Sequence, residues 1–191
     1  GPDGRNLAYS QIGWNSDLWI LPMDPQLGQP TGPARPLIQS SREDTRASWS
    51  ADERWLVFTS DRGGSPQLYR MAARGGQPVR LTFEGKYNAG ADISPDGSKI
   101  AMVHGNNGIY RIAVLDLKSG ATRVLTDGRL DESPSFSPNG SMIIYATDAG
   151  NRGVMAAVST DGRFRQRLSI QAGDIHRELG FTRRIPVVCS A

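Results

Sequence analysis

Charged side chains and a few large apolar ones are grouped in three short segments of the 191-residue sequence, spaced about 44 residues apart. Arginine and aromatic side chains are enriched among the residues that anchor protein interfaces, so this mixture indicates protein recognition. Glu43–Asp44 and Asp131–Glu132 also fit a simpler role, in which carboxylates cap turns or solvate a rim. The residues expected to bind a partner are Arg42, Glu43, Asp44, Thr45, Arg46, Phe83, Glu84, Lys86, Tyr87, Asn88, Leu130, Asp131, Glu132 and Ser133.

Patterns for catalysis or metal binding are missing from the sequence. His104 ends an apolar run and His176 lies near the C-terminus, and neither has a second His or Cys at ligand spacing. The sequence has no Gly-x-Ser-x-Gly elbow, dinucleotide-binding glycine motif, P-loop or calcium-binding loop, and its nearest approach to the elbow is Gly63-Gly64-Ser65-Pro66. We therefore expect no enzymatic activity, no cofactor and no metal site.

Composition narrows the fold class and the kind of partner. The 22 basic and 19 acidic residues are spread along the chain, so no basic stripe offers itself to nucleic acid. No run of about 18 apolar residues is present, and direct membrane insertion is not expected. The 22 glycines and 12 prolines, without long helix-forming stretches, favour an all-β fold of short strands and tight turns.

A unit of about 44 residues recurs four times and reads as four strands. The innermost strands are predicted at 47–50, 91–94, 134–137 and 179–182, where Trp49, Ile93, Phe136 and Phe181 would face the core. Turns such as Pro-Asp-Gly lead into second strands predicted at 7–10, 56–60, 100–104 and 143–147. Third strands are predicted at 17–23, 67–73, 108–115 and 153–159, and fourth strands at 34–38, 78–83, 122–126 and 165–169.

These units predict a β-propeller of four-stranded antiparallel blades, because one thin sheet cannot bury both of its faces alone. We expect a single repeat domain over 1–191, with units at about 1–46, 47–90, 91–133 and 134–178. Residues 179–191 would supply a closing strand and a tail. Two arrangements stay open, a closed small propeller and a truncated larger one, and an incomplete ring would favour self-association.

Over about residues 58–175, the sequence of the repeats resembles that of the TolB family, the periplasmic β-propeller proteins of the Tol-Pal system. The segments that carry the resemblance include FTSDRGGSPQLYR at 58–70, RLTFEGKYNAGADISPDGSKIAMVH at 80–104 and LDESPSFSPNGSMIIYAT at 130–147. Residues 1–50 are closer to generic TolB-like propeller repeats. The family propeller has six blades and a preceding α/β domain, whereas this sequence shows four units.

The resemblance implies a non-enzymatic scaffold in the periplasm that binds the peptidoglycan-associated lipoprotein Pal and supports outer-membrane integrity and cell division. TolB-like propellers meet Pal with the loops that precede their inner strands, which here are the three charged segments. The alternative is a propeller gate or sensor module of a prolyl-oligopeptidase-type enzyme or a transcriptional regulator. Without a nucleophile elbow or paired histidines in the sequence, the scaffold is the preferred interpretation.

Overall fold

The computed structural model of the protein describes residues 3–12, 15–148 and 153–168, and every regular element in these ranges is a β-strand. No helix in these ranges is long and apolar enough to span a membrane. The first eight strands are β1 Asn6–Ile12, β2 Ser16–Pro22, β3 Arg35–Ile38, β4 Asp44–Trp49, β5 Trp55–Ser60, β6 Gln67–Ala72, β7 Val79–Arg80 and β8 Tyr87–Ile93. The others are β9 Lys99–Asn106, β10 Ile109–Asp116, β11 Thr122–Val124, β12 Asp131–Phe136, β13 Met142–Asp148, β14 Gly153–Ser159 and β15 Arg165–Arg167.

The strands form four antiparallel meanders, which confirms the predicted all-β fold of propeller blades. Three sheets have four strands in chain order, β4 to β7, β8 to β11 and β12 to β15. The first sheet has three described strands, β1 to β3. The segment predicted to complete it, residues 179–182, lies outside the described residues, as does the tail that follows.

The chain divides into two compact units, one ending at Glu84 and the next beginning at Gly85. In the first unit, the core joins two neighbouring sheets through Leu18, Ile38, Leu56, Phe58, Tyr69 and Met71. In the second unit, the core likewise joins two sheets through Ala101, Val103, Ile112, Val114, Leu125, Phe136, Ile143, Tyr145, Ala156 and Val158. Fully burying one large apolar side chain contributes about 1.5–3 kcal/mol, so the packing of the two sheets against each other stabilises each unit. The single domain over 1–191 stays a prediction.

The apolar column predicted for the inner strands is withdrawn from solvent in the described residues. Ile93 and Phe136 are buried, and Trp49 is half-buried against the first core. Phe181, the fourth member, lies outside the described residues. The column therefore holds in each of the three described inner strands.

The predicted starts of the inner strands were wrong by three or four residues. They begin at Asp44, Tyr87 and Asp131, upstream of the predicted 47, 91 and 134. Each strand contains a register shift just after its start, between Thr45 and Ser48 in β4 and at the matching positions of β8 and β12. A bulge of this kind adds a residue and breaks the alternation from which the strand was predicted.

A left-handed residue lies at the same position in each bulge. Arg46, Gly90 and Ser133 have φ values of 54°, 64° and 55°. Glycine adopts this conformation without steric cost, whereas Arg46 and Ser133 bring a Cβ close to the backbone. The bulge geometry is therefore shared by the blades although its residue type is not.

Replacing Ser133 with glycine should relieve this strain and raise the free energy of unfolding by up to about 1 kcal/mol. Urea denaturation monitored by tryptophan fluorescence measures the change. Ser135→Gly in the same strand is the control, because Ser135 has no positive φ and the substitution should destabilise by about 0.5–1 kcal/mol. Equal destabilisation by both substitutions would contradict the strain.

The turns between first and second strands are closed by a serine and an Asp or Asn two residues later, in agreement with the predicted reversals. Ser94 Oγ donates to Asp96 Oδ1 at 2.6 Å and accepts a hydrogen bond from the Lys99 amide at 2.9 Å. Ser137 donates to Asn139 at 2.7 Å in the same way. Hydrogen bonds from Ser94 and Ser98 lower the pKa of Asp96 from 3.8 to about 2. The ionised carboxylate is thus part of one turn, and a neutral amide replaces it in another.

This difference predicts that Ser94→Ala lowers the free energy of unfolding by an amount that depends on pH. The folded-state pKa of Asp96 is depressed, so its stabilisation is present above pH 4 and is lost as pH falls towards 2. The loss of unfolding free energy in Ser94→Ala should therefore shrink between pH 6 and pH 2.5 in urea titrations. Ser137→Ala is the matched control. Because Asn139 does not titrate, the loss of unfolding free energy in this variant should stay constant over the same pH range. The same pH dependence in both variants would refute the assignment.

Candidate functional site

The three predicted partner-binding segments are held by the hairpins that join the second and third strands of their own sheets. The amide of Asp61 donates to the Glu43 carbonyl at 3.3 Å, and the amide of Lys86 donates to Gly105 at 3.1 Å. The amide of Asp148 donates to Leu130 at 3.1 Å. Segment and hairpin therefore form one surface in each blade.

The sequence alone predicts these hairpins only as connections between strands and does not identify them as part of the site. A signal was present, because Asp61, Gly105 and Asp148 recur at spacings of 44 and 43, like the segments themselves. The hairpin between β9 and β10 is a two-residue turn in which Asn107 and Gly108 have φ values of 51° and 77°. Positive φ at both central residues defines a type I′ turn, for which Asn-Gly is the preferred sequence.

Solvent exposure separates the predicted residues into exposed, half-buried and buried members. Phe83 is 74% exposed and Leu130 is 44% exposed, whereas Asp44, Asn88 and Asp131 are at most 1% exposed. Thr45 and Tyr87 are half-buried. The remaining exposed members are Arg42, Glu43, Arg46, Glu84, Lys86, Glu132 and Ser133.

Asp44, Asn88 and Asp131 occupy the same buried position at the start of their inner strands. In the sheet register they lie opposite Ser60, His104 and Thr147. A buried polar group is costly unless it is hydrogen-bonded, and each blade supplies at least one hydrogen bond to this residue with different chemistry.

In the first of these blades, the buried Asp44 carboxylate forms an ion pair. Arg62 Nη2 donates to Asp44 Oδ1 at 2.8 Å, and Ser40 Oγ donates to the other carboxylate oxygen at 2.8 Å. The Arg62 guanidinium also lies 5.5 Å from the ring centre of Phe58 and 5.2 Å from that of Tyr69. These cation–π contacts and the ion pair fix Arg62 at the base of the first segment.

In the second of these blades, the buried Asn88 side chain is hydrogen-bonded to the imidazole of His104. His104 Nδ1 and Asn88 Oδ1 are 2.8 Å apart. Gly85 lies against the same ring, since a Cβ at this position would be 2.6 Å from His104 Cε1. His104 therefore supports two points of the loop that leads into β8. No group of three His, Cys, Asp or Glu side chains in the described ranges is placed to hold a metal ion.

In the third of these blades, a carboxylate lies close to the backbone. Thr147 Oγ1 donates to Asp131 Oδ1 at 2.5 Å, while Asp131 Oδ2 is buried without a hydrogen-bond partner among the described residues. A Cβ on Gly128 would overlap the Asp131 carboxylate. Burial raises the pKa of Tyr145 above its usual range, and the nearby Asp131 charge adds to the effect.

Phe83, the most exposed aromatic of the site, rests on a cation in the first unit. The Arg80 guanidinium carbon lies 5.1 Å from the centre of the Phe83 ring, and Arg80 Nε donates to the Thr82 carbonyl at 2.6 Å. The ring is thus held on one face while it is presented to solvent.

Two of the segments come together within the second unit. The rings of Tyr87 and Tyr110 meet edge to face at 5.2 Å, and Tyr110 forms a β-bridge with Leu130. The Tyr110 amide donates to the Arg129 carbonyl at 2.9 Å. Tyr110 therefore connects the segment at Lys86–Asn88 with the segment at Leu130–Ser133. Arg42–Arg46, Phe83 and Glu84 belong to the first unit.

The contact with Gly128 yields a stability prediction. Gly128→Ala should lower the free energy of unfolding by about 2 kcal/mol, because the added methyl group displaces the Asp131 carboxylate. In an Asp131→Ala background the same substitution should cost less than half as much, as a double-mutant cycle measured by urea denaturation would detect. Gly153→Ala is the control, since a Cβ there meets no atom within 4 Å. An equal cost in both backgrounds would exclude the clash.

Comparison with known proteins finds one family along most of the chain. The model of the TolB β-propeller domain matches residues 1–178. The Tol-Pal system protein TolB of Xanthomonas oryzae pv. oryzae (strain PXO99A) is 52% identical over 107 residues, which are 55% of this chain and 24% of that protein. The chain thus spans about a quarter of the length of the curated relatives it matches.

Solved structures agree on the fold. The crystal structure of TolB from Acinetobacter baumannii superposes with a TM-score of 0.74 at 42% sequence identity. The aligned region covers 88% of this chain and 41% of the TolB chain. A puromycin hydrolase superposes with a TM-score of 0.72 at 20% identity, covering 87% of this chain and 27% of its own. At that identity the second similarity concerns the fold alone.

Proposed function

Because the chain belongs to the TolB β-propeller domain family, we propose that it is a non-enzymatic protein-binding scaffold of a Tol-Pal system. Its partner is a lipoprotein similar to the peptidoglycan-associated lipoprotein Pal, and its compartment is the periplasm. Through this contact it contributes to outer-membrane integrity and cell division. One observation carries the proposal: in each of three segments, exposed charged or apolar side chains are close in sequence to a buried, hydrogen-bonded polar residue at the start of an inner strand.

This arrangement suits protein recognition because it limits the cost of binding. A segment that is already ordered loses little conformational freedom when a partner docks. Phe83 in the first unit and Leu130 in the second would act as apolar anchors, and the exposed charges of Arg42, Glu43 and Lys86 would add polar contacts. Asp44, Asn88 and Asp131 would act as positioning residues, each within its own segment.

A gate or sensor module attached to an enzyme is the alternative function. Its support is the similarity to puromycin hydrolase, which extends to the fold only. The sequence offers no nucleophile elbow for hydrolysis. Release of a chromogenic group from a peptide substrate by the purified chain would favour the alternative.

Replacing Phe83 with alanine should raise the Kd for purified Pal by at least about fivefold, because a preordered exposed aromatic ring is typical of interface hot spots. Isothermal titration calorimetry measures the change, and an unaltered melting temperature shows that the fold is intact. Phe164→Ala is the matched control, since Phe164 is also exposed, at 53%, but lies outside the three segments. If wild-type protein binds no Pal at tens of micromolar in both a pull-down and calorimetry, the proposal is wrong.

A further inference from the structure

Two adjoining clefts in the second unit are lined by both arginine and apolar side chains. We propose that the clefts beside the hairpin of β9 and β10 bind an acidic segment of a protein partner that also carries apolar side chains. The larger cleft has a volume of about 450 Å³ and is lined in part by Ile109, Arg111 and Arg129. A neighbouring cleft of about 320 Å³ shares Ile109 and Arg111 and adds Val124. We refer to the two together as the basic cleft.

The charge of the basic cleft is positive because its arginines are not neutralised. Arg111 Nε donates to the Gly128 carbonyl at 3.2 Å, which orients the guanidinium without cancelling its charge. Neither Arg111 nor Arg129 forms an ion pair with any residue in the described parts of the chain. Asp127, the one acidic residue of the lining, is itself engaged by Arg165. Two arginines thus stand ready for carboxylates, to which guanidinium groups bind with paired hydrogen bonds.

Apolar side chains on the same surface define the occupant further. Ile109 is 39% exposed and Val124 is 43% exposed. A small anion would leave both exposed, whereas a segment that alternates acidic and apolar residues would cover them. Nucleic acid is disfavoured because two arginines neutralise too few phosphates for stable binding.

The walls of the basic cleft are preformed. On one side, the type I′ turn at Asn107 and Gly108 fixes the tip of the hairpin. On the other, the Tyr110 amide holds the Arg129 carbonyl at 2.9 Å. An incoming segment would therefore meet ordered backbone on both sides, which reduces the entropic cost of binding.

This inference goes beyond the proposed function, since it is argued from the lining of the cleft and needs no Pal. If the chain binds Pal through Phe83 but does not bind the acidic peptide, the proposed function holds and this inference fails. If it binds the peptide but not Pal, this inference holds and the proposed function fails.

The test uses the whole chain and a fluorescein-labelled hexapeptide that alternates Asp or Glu with Leu or Val, titrated by fluorescence anisotropy at low salt. Arg111→Gln and Arg129→Gln should each weaken binding about fivefold to tenfold, because each removes one charge-assisted contact. Arg74→Gln is the matched control, since Arg74 is an exposed arginine of the first unit outside the cleft. Ile109→Ser should weaken binding of the same peptide and leave binding of a peptide with Ser in place of Leu and Val unchanged.

Four results would overturn the proposal. They are no binding of the acidic peptide at millimolar concentration, equal binding to wild type and to the double variant Arg111→Gln/Arg129→Gln, equal binding of a peptide with Lys in place of the acidic residues, and tighter binding of a single-stranded oligonucleotide than of the acidic peptide. Melting temperatures of all variants show whether a loss of binding comes from unfolding.

Discussion

The burial of one polar side chain at the start of each inner strand is the constraint that organises the site. Asp44, Asn88 and Asp131 are removed from water, and such groups are costly unless neighbouring atoms supply hydrogen bonds. Arg62 in the adjacent hairpin and Ser40 supply the hydrogen bonds to Asp44, whereas the partners of Asn88 and Asp131 are His104 and Thr147 on the opposite strands. The segment that enters each inner strand is thereby pulled onto the adjacent hairpin, and its remaining side chains are left on the surface.

The three blades reach the same geometry with different residues. The first uses an ion pair stacked on aromatic rings, the second an imidazole and an amide, and the third a hydroxyl and a carboxylate pressed against glycine. The turn motif varies in the same way, with Asp96 in one copy and Asn139 in another. Position in the repeat therefore determines structure, while residue identity sets the local charge. The basic cleft follows from this freedom, since Asp127 and Arg129 follow the outer strand of one blade only.

Much of the fold could be predicted because its signals are local. The Pro-Asp-Gly type turns and the short apolar runs of β5, β9 and β13 identify strands without knowledge of distant contacts. The bulges could not be predicted, because Arg46, Gly90 and Ser133 share a backbone conformation and no side-chain feature. The burial of Asp44 and Asp131 was missed for a related reason. Apart from Ser40, their hydrogen-bond partners Arg62 and Thr147 lie 18 and 16 residues away along the chain, and pairing of the strands brings them near.

The outermost strands of three sheets, β7, β11 and β15, are only two or three residues long, and each contains at least one arginine. A sheet margin that short offers few free amide and carbonyl groups on which another polypeptide could template. The arginines in these edge strands also make the edges of two copies repel each other if they approach. A protein whose described regular elements are all β-strands is thereby protected at these edges against the cross-β aggregation to which such folds are prone.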